Sequence, residues 1–491
     1  VAKRSPAKAA GLKVERLDIS LNADPSRVLL RRYSTSGPDQ ARNVISRVLA
    51  LPEGELPQFL ETVMGDFEGR HHEFRQALLQ RFREIQHLLT TDQELSKPRQ
   101  MLMGASFSME YSLECAALFN PSIVLHPDQS GIAKGAVRFV LSLRATGEGH
   151  ISSITFRVGT VDAKGTVIIE PASRFVIEPK AVPNPSYERA LFGRKLHELG
   201  LSSAFTRRVV QSLDDEFTLQ DLRNALSREH WRSRNLESEP DQIANVDDKI
   251  LALALSNYQV QFQPTQPLSE QVLFPVTPSQ SNGIEDARFV RFEDGTYYGT
   301  YTAYDGRMIM PQLVETDDFI NYRFITLNGP AVKNKGMALF PRKINGLYAM
   351  LGRQDGENLT LMMSDNIHFW NEARIIVRPK FSWELVQIGN CGSPIETEAG
   401  WLVLTHGVGP ARKYSIGALI LDRDDPSKVV GRLREPLLSP GAEEREGYVP
   451  NVVYTCGALV HGENLIVPYA VSDSATRFAR VNLKALLAAM S

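Results

Sequence analysis

Trp401-Leu402-Val403-Leu404-Thr405-His406 is an apolar run that passes without a break into polar residues. The same design recurs at Val140-Leu141-Ser142-Leu143-Arg144, Tyr297-Tyr298-Gly299-Thr300-Tyr301, Tyr348-Ala349-Met350-Leu351-Gly352-Arg353 and Leu465-Ile466-Val467-Pro468-Tyr469. The last four of these five segments start roughly 50 to 65 residues apart, a spacing expected of repeated sheets. No such unit buries its own sheet face alone. Five of them closing into a ring around a central channel solve that problem, so the expected fold is mainly β, a five-bladed β-propeller.

Outward from these runs the chain divides. After about residue 259 it reads as nearly all β, with turns at short intervals, until a terminal helix from about 482. Thr316-Asp317-Asp318-Phe319, and Ser364-Asp365 ahead of Phe369-Trp370, read as turns between strands, without chemistry. From about 108 to 178 the period is again two, with strands at 138–143 and 151–158 joined by a Gly-rich turn. Between 184 and 258 the signal is helical, and Thr218-Leu219-Gln220-Asp221 has the spacing of a capping box. From about 24 to 92 it is also helical. Phe67, Phe74, Leu78, Phe82, Ile85 and Leu89 form one stripe, which Asp92 to Pro98 ends. Residues 1–13 read as a basic tail. The expected units are 1–107 (tail and N-terminal helical region), 108–183 (first part of the propeller), 184–258 (helical insertion) and 259–491 (remainder of the propeller and C-terminal helix).

Composition narrows the function. Among 491 residues, 43% are hydrophobic and 23% charged, which is a globular composition. Lys+Arg 55 against Asp+Glu 57 leaves a net charge of -2, so nothing points to nucleic acid as a partner. Cys115, Cys391 and Cys456 cannot pair completely and form no CxxC, which indicates a reducing compartment, hence the cytoplasm. No stretch of about 18 apolar residues suggests a membrane partner. His71 and His72 point in different directions on a helix, and with His87 they read as a solvated helix face. No metal site is expected.

The repeated runs end on polar residues: Arg144, Tyr304, Asp305, Arg353, Asp355, His406 and Asp473. Each alone is as well read as a turn residue in solvent. In a closed ring these ends converge, and charges that end apolar strands are costly unless paired or functional. Asn282-Gly283-Ile284-Glu285-Asp286-Ala287-Arg288-Phe289 opens another strand with two carboxylates beside an arginine. Such a pair can hold one acid low and the other high in pKa.

At this motif a family resemblance appears. Gly283-Ile284-Glu285-Asp286-Ala287-Arg288 resembles the Glu-Asp-Pro-Arg signature of glycoside hydrolase family 130, with Ala287 in place of the proline. Phe119-Asn120-Pro121-Ser122, Leu141-Ser142-Leu143-Arg144, Lys333-Asn334-Lys335-Gly336, Ala338-Leu339-Phe340-Pro341, the segment from Trp401 to His406-Gly407-Val408, and Val449-Pro450-Asn451-Val452-Val453 are similar to the family in the same order. The resemblance spans roughly 108–178 and 259–485. It implies a five-bladed propeller and inverting cleavage of β-mannosides, with Asp286 as proton donor. It also implies a sugar site drawing on Asn120, Arg144, Glu285, Arg288, Tyr304, Asp305, His406 and Asp473.

Two reactions stay open at this point. Lys333, Asn334 and Arg353 fall where phosphorylases of the family place phosphate ligands, with Arg412 and Lys413 as further cations. Glu396 falls where they carry lysine, and resembles the base of the family's hydrolases. The preferred reading is phosphorolysis to mannose 1-phosphate, with inorganic phosphate as co-substrate and no cofactor. The alternatives are a β-mannoside hydrolase with Glu396 as base and a carbohydrate-binding propeller without catalysis. The added helices are expected to cover a propeller face, build a homo-oligomer interface, or wall acceptor subsites.

Overall fold

The computed structural model describes residues 12–89, 93–182, 185–233 and 240–490. Most of the basic tail (residues 1–11) and Asp92 lie outside the described residues. The protein is mainly β, and its sheets are dominated by antiparallel meanders. The first comprises Ala117–Leu125, Val137–Thr146, Ser152–Val161 and Val167–Ile169. The second comprises Gly283–Arg291, Tyr297–Tyr304, Ile309–Thr316 and Asn321–Thr326, and a single parallel pair, Gly283 with Ser152, joins it to the first. The third comprises Ala338–Leu339, Tyr348–Gly352, Leu359–Ser364 and Arg374–Val377. The fourth comprises Gln387–Asn390, Gly400–Val408, Tyr414–Leu421 and Val429–Arg432. The fifth takes Val453–Tyr454, Asn464–Val471 and Ala475–Asn482 from the C-terminal end of the chain and Val14–Leu21 from the N-terminal end.

Every repeated apolar run is the second strand of its meander. The reason is visible in the fourth. Trp401 and Val403 pack with Phe340, Ala349 and Leu351 of the third meander, while Leu402 and Leu404 pack with Val453, Leu465 and Val467 of the fifth. A strand buried on both faces has no polar face to alternate with, so it reads as a continuous hydrophobic run. Similar shared cores join first to second (Phe156 with Phe289), second to third (Val290 with Met350) and fifth to first (Ile466 with Leu141).

The N-terminal region departs from the sequence reading. Val14–Leu21 and Val28–Arg32 are strands, and the helices are Pro38–Ala50, Leu56–Phe67, Phe74–Ile85 and Lys97–Ser106. The expected single stripe is therefore split after Phe67. His71 and His72 sit in that break and not on a solvated helix face. His71 is buried with its Nε2 2.8 Å from Glu110, and the His72 Nε2 lies 3.0 Å from Glu270. These tertiary partners win over helical propensity. Within 184–258 the helices Arg189–Glu198, Ala204–Gln211, Leu219–Ser233 and Pro240–Leu255 share a core that includes Phe192, Leu196, Val209, Leu222 and Ile250. The capping box forms reciprocally: the Thr218 N–H donates to Asp221 Oδ2 at 2.9 Å, and the Asp221 N–H to Thr218 Oγ1 at 3.2 Å. Among the described residues, no helix is long and apolar enough to cross a membrane.

Candidate active site

Two bulged strands create the centre of the site. Gly283 starts its strand at φ +139, and a Cβ there would lie 2.9 Å from Ser152. Glycine is thus what lets the second meander approach the first. Three residues on, pairing with the neighbouring strand slips between Glu285 and Arg288, which leaves Asp286 at φ +55. In the first meander the pairing slips likewise between Phe119 and Ser122, which leaves Asn120 at φ +48. A left-handed conformation costs a residue other than glycine about 1–2 kcal/mol, and bulges re-aim side chains. Here they aim two side chains at each other: Asn120 Nδ2 donates to Asp286 Oδ1 at 2.7 Å.

Arg144 binds both acids of the motif. Its Nη1 donates to Asp286 Oδ1 at 3.1 Å, its Nη2 to Glu285 Oε1 at 2.8 Å, and its Nε to Ser152 Oγ at 2.9 Å. Lys335 forms an ion pair with Glu285 from the other side. Arg288 is buried and turns its donors to the Cys391 carbonyl at 2.8 Å and the Tyr454 hydroxyl at 2.6 Å. Burial pushes the Asp286 carboxyl up, but Arg144, Arg288, Lys335 and the Asn120 hydrogen bond outweigh it and hold the group down to about 2. Asp473 behaves in the opposite way. Burial and repulsion from Asp286 and Glu285 exceed the attraction of Arg144, so its carboxyl is pushed up to about 6.

A second group stands beside this centre. Arg353 Nε donates to the Lys335 carbonyl at 3.2 Å, and its Nη1 lies 3.1 Å from His406 Nε2. Burial, Arg353 and Arg288 push His406 well below its ordinary value, so the imidazole is neutral. Its Nδ1 is 3.2 Å from the Asn390 carbonyl, which places the ring proton there and leaves Nε2 as the acceptor for Arg353. Gly336, at φ +93, lies between two guanidiniums. A Cβ on it would sit 3.2 Å from Arg353 Nε and 3.7 Å from Arg288 Nη2. Among the described residues no carboxylate is within ion-pair distance of Arg288 or Arg353. The arrangement is an ionised carboxylate next to an unbalanced, partly buried cationic pocket, a combination chemically able to receive an anion beside an acid–base group.

The site thus brings together Asn120, Arg144, Glu285, Asp286, Arg288, Arg353 and His406, with Asp473 in electrostatic reach. Asn334 supports it from behind: its Nδ2 donates to the Arg353 carbonyl at 3.1 Å, and its own φ is +66. Tyr304 stands at the edge, with its ring 5.6 Å from Lys335 Nζ. Asp305 and Asp355 accept backbone N–H groups of their own turns, from Met308 at 2.6 Å and Asn358 at 2.8 Å, as turn residues do. Lys333 is exposed, and among the described residues neither its side chain nor those of Arg412 and Lys413, on the loop after Val408, make a hydrogen bond or ion pair.

Glu396 is a correction. It pairs with Arg342 at 2.7 Å, and its backbone lies opposite Trp401 at the start of the strand that ends in His406. Five residues of extended chain, about 16 Å, separate that position from His406. The carboxylate is therefore at the far end of the sheet and not beside Asp286. Lys335, Ser152, Tyr454 and Gln387, whose amide is 3.1 Å from His406 Nε2, belong to the site and escaped the sequence reading. Lys335 was within the quoted Lys333-Asn334-Lys335-Gly336 segment. The left-handed turn at Asn334 decides which lysine points inward.

A family model described as beta-1,4-mannooligosaccharide phosphorylase matches residues 252–491. Over 224 residues the chain is 35% identical to the 1,2-beta-oligomannan phosphorylase of Thermoanaerobacter sp. (strain X514), covering 44% of this chain and 74% of that protein. The chain belongs to glycoside hydrolase family 130. A second relative from the same organism, a beta-1,2-mannobiose phosphorylase, is 38% identical over 210 residues, covering 41% of this chain and 68% of its own. Among solved structures, beta-1,2-mannobiose phosphorylase from Listeria innocua in complex with beta-1,2-mannobiose aligns over 77% of this chain and 93% of that one, with a TM-score of 0.46 and 21% identity. The family 130 match contains Glu285, Asp286, Arg288, Lys335, Arg353, His406 and Asp473. Asn120 and Arg144 reach the same site from outside it.

Proposed function

We propose that this family 130 chain cleaves β-linked mannosides by phosphorolysis, with inversion, to give mannose 1-phosphate. The observation that carries this reading is the pair of guanidiniums, Arg288 and Arg353, that flank Gly336 without a carboxylate partner. With Lys335 and the neutral His406 they suit a phosphate dianion. A water-activating base has no counterpart there, because Glu396 is engaged by Arg342 at the other end of its sheet. The names of the relatives point the same way.

Asp286 is the proposed acid, although the free protein holds it ionised. A phosphate dianion on Arg288, Arg353 and Lys335 offsets the field that keeps the carboxyl low, so the acid takes up its proton as the co-substrate binds. That proton passes to the glycosidic oxygen, by way of a substrate hydroxyl as the family resemblance implies. The bond from C1 to that oxygen breaks, and a phosphate oxygen bonds C1 from the opposite face. Asn120, Arg144, Glu285, Tyr304 and Asp473 are assigned to the mannosyl unit. Asn334 is assigned to positioning Arg353. Lys333, Arg412 and Lys413 remain candidates only for drawing phosphate to the mouth.

The five meanders are read as five propeller blades. Shared cores between each consecutive pair, and between last and first, support this count. The segments 1–107 and 184–258 are read as additions to the propeller. The three cysteines are unpaired, which supports a reducing, cytoplasmic setting.

Product analysis on β-1,2- and β-1,4-mannobiose, with and without inorganic phosphate, tests the proposal. Mannose 1-phosphate formed only when phosphate is present, and lost in Asp286→Asn, is the expected result. Free mannose released at a rate indifferent to phosphate would overturn it.

A further inference from the structure

The inverting geometry demands that the leaving sugar and the phosphate occupy opposite sides of the mannosyl ring. Of the cationic pocket, Arg353 and His406 come from the third and fourth meanders and Lys335 from the segment just ahead of them, while Arg288 reaches in from the second. The aglycone therefore belongs on the side of the fifth and first, and that side carries an exposed ring pair. Tyr448 is 58% exposed, its ring centroid is 5.6 Å from that of His150, and its hydroxyl is 3.4 Å from His150 Nδ1.

Both rings are tied to the site by short connections. His150 is two residues from Ser152, whose hydroxyl accepts from Arg144. The Tyr448 N–H donates to Ser474 Oγ at 2.8 Å, in the turn that holds Asp473. Both loops are also fixed in place. The Tyr111 hydroxyl donates to the Glu148 carbonyl at 2.9 Å, and a Cβ on Gly147 would lie 2.3 Å from the Ser112 carbonyl oxygen. A Cβ on Gly447 would lie 2.5 Å from Ser474 Oγ. The platform is thus set before any ligand arrives, and an aromatic face held in this way meets the C–H face of a pyranose at little ordering cost.

We infer that Tyr448, backed by His150, is the stacking platform for the leaving-group sugar and sets acceptor preference. This rests on the phosphorolysis reading. The platform is a binding surface and does not touch the reacting atoms.

Steady-state kinetics in both directions test it: mannobiose with phosphate, and mannose 1-phosphate with mannose as acceptor. Tyr448→Ala is expected to raise KM for mannobiose and for acceptor mannose about tenfold. KM for phosphate and for mannose 1-phosphate should stay within about twofold. Tyr448→Phe should restore the acceptor KM, because the ring and not the hydroxyl does the stacking. An unchanged acceptor KM in Tyr448→Ala, or an equal rise in KM for phosphate, overturns the inference while leaving phosphorolysis standing. Absence of phosphate-dependent turnover by the unmodified protein removes both together. The exposure of Tyr448 makes misfolding an unsuitable excuse, and a melting curve for each variant checks this.

Discussion

Asp286 and Asp473 lie in one electrostatic field and respond to it in opposite directions. Asp473 holds its proton more tightly folded than unfolded. Between the ordinary carboxylate range and about 6, folding therefore takes up a proton, and stability falls as pH rises through that window. Asp473→Asn should stabilise the protein at pH 7 by about 1–2 kcal/mol, with the gain vanishing near pH 4, as thermal melts across that range would report. Asp286 has the reverse sign: its contribution is present above its unfolded value and is lost as pH falls towards about 2. Asp286→Asn should cost about 1–3 kcal/mol at neutral pH, because Arg144 loses part of its counter-charge, and should lower turnover by about a hundredfold or more. At Gly336 a methyl group meets Arg353 and Arg288 directly. Gly336→Ala is expected to raise KM for phosphate well before it affects KM for the sugar, as initial rates over a phosphate series would show. Much of the candidate site could be read from the chain: the acids, Arg144, Arg353 and His406, which the fold brings together, end or open strands whose pattern is plain. What could not be read was which of two lysines faces inward, since that depends on one left-handed residue, Asn334, and periodicity says nothing about such a residue.

The strands were legible because each second strand is buried on both sides. Trp401 is fully buried and belongs to the core between the third and fourth meanders. Trp401→Ala should destabilise by about 3–5 kcal/mol, measured by denaturant unfolding, through the cavity left between two sheets. Glu396 was misplaced for a related reason. Its distance along the chain from His406 looks short, but the strand Ile395–Thr397 runs back against the start of Gly400–Val408. Antiparallel pairing thus sends it to the opposite rim. The helical stripe through Phe67 and Phe74 failed differently. Its period is correct on both sides of the break, but His71 and His72 are recruited by Glu110 and Glu270, partners that no local window contains.

The molecule is joined by its two ends. Val14–Leu21 completes the fifth sheet by pairing with Ala475–Asn482, and Arg16 reaches Glu444 at 3.0 Å. Glu444 in turn accepts from Tyr469 at 2.7 Å, and its carbonyl accepts from Ser472 at 2.7 Å, beside Asp473. Removing residues 12–21 is expected to lower both the melting temperature and the phosphorolysis rate, although none of them lines the site. Unchanged melting would show that the strand is ornamental. This strand falls between the basic tail of residues 1–13 and the helical signal from about 24, and no strand is expected there, because eight residues with a broken alternation give little signal when their partner lies roughly 450 residues further along the chain. Asn120 and Arg144 make the same point for function, since residues 252–491 alone lack both.

The pairing of Val14–Leu21 also has a history in time. During synthesis that strand appears roughly 450 residues before Ala475–Asn482. At about 5–20 residues per second it waits on the order of a minute with its edge unsatisfied. For that interval the nascent chain carries an open strand that can join a neighbouring chain on the same message. Yield of native protein should therefore depend on how densely ribosomes are loaded.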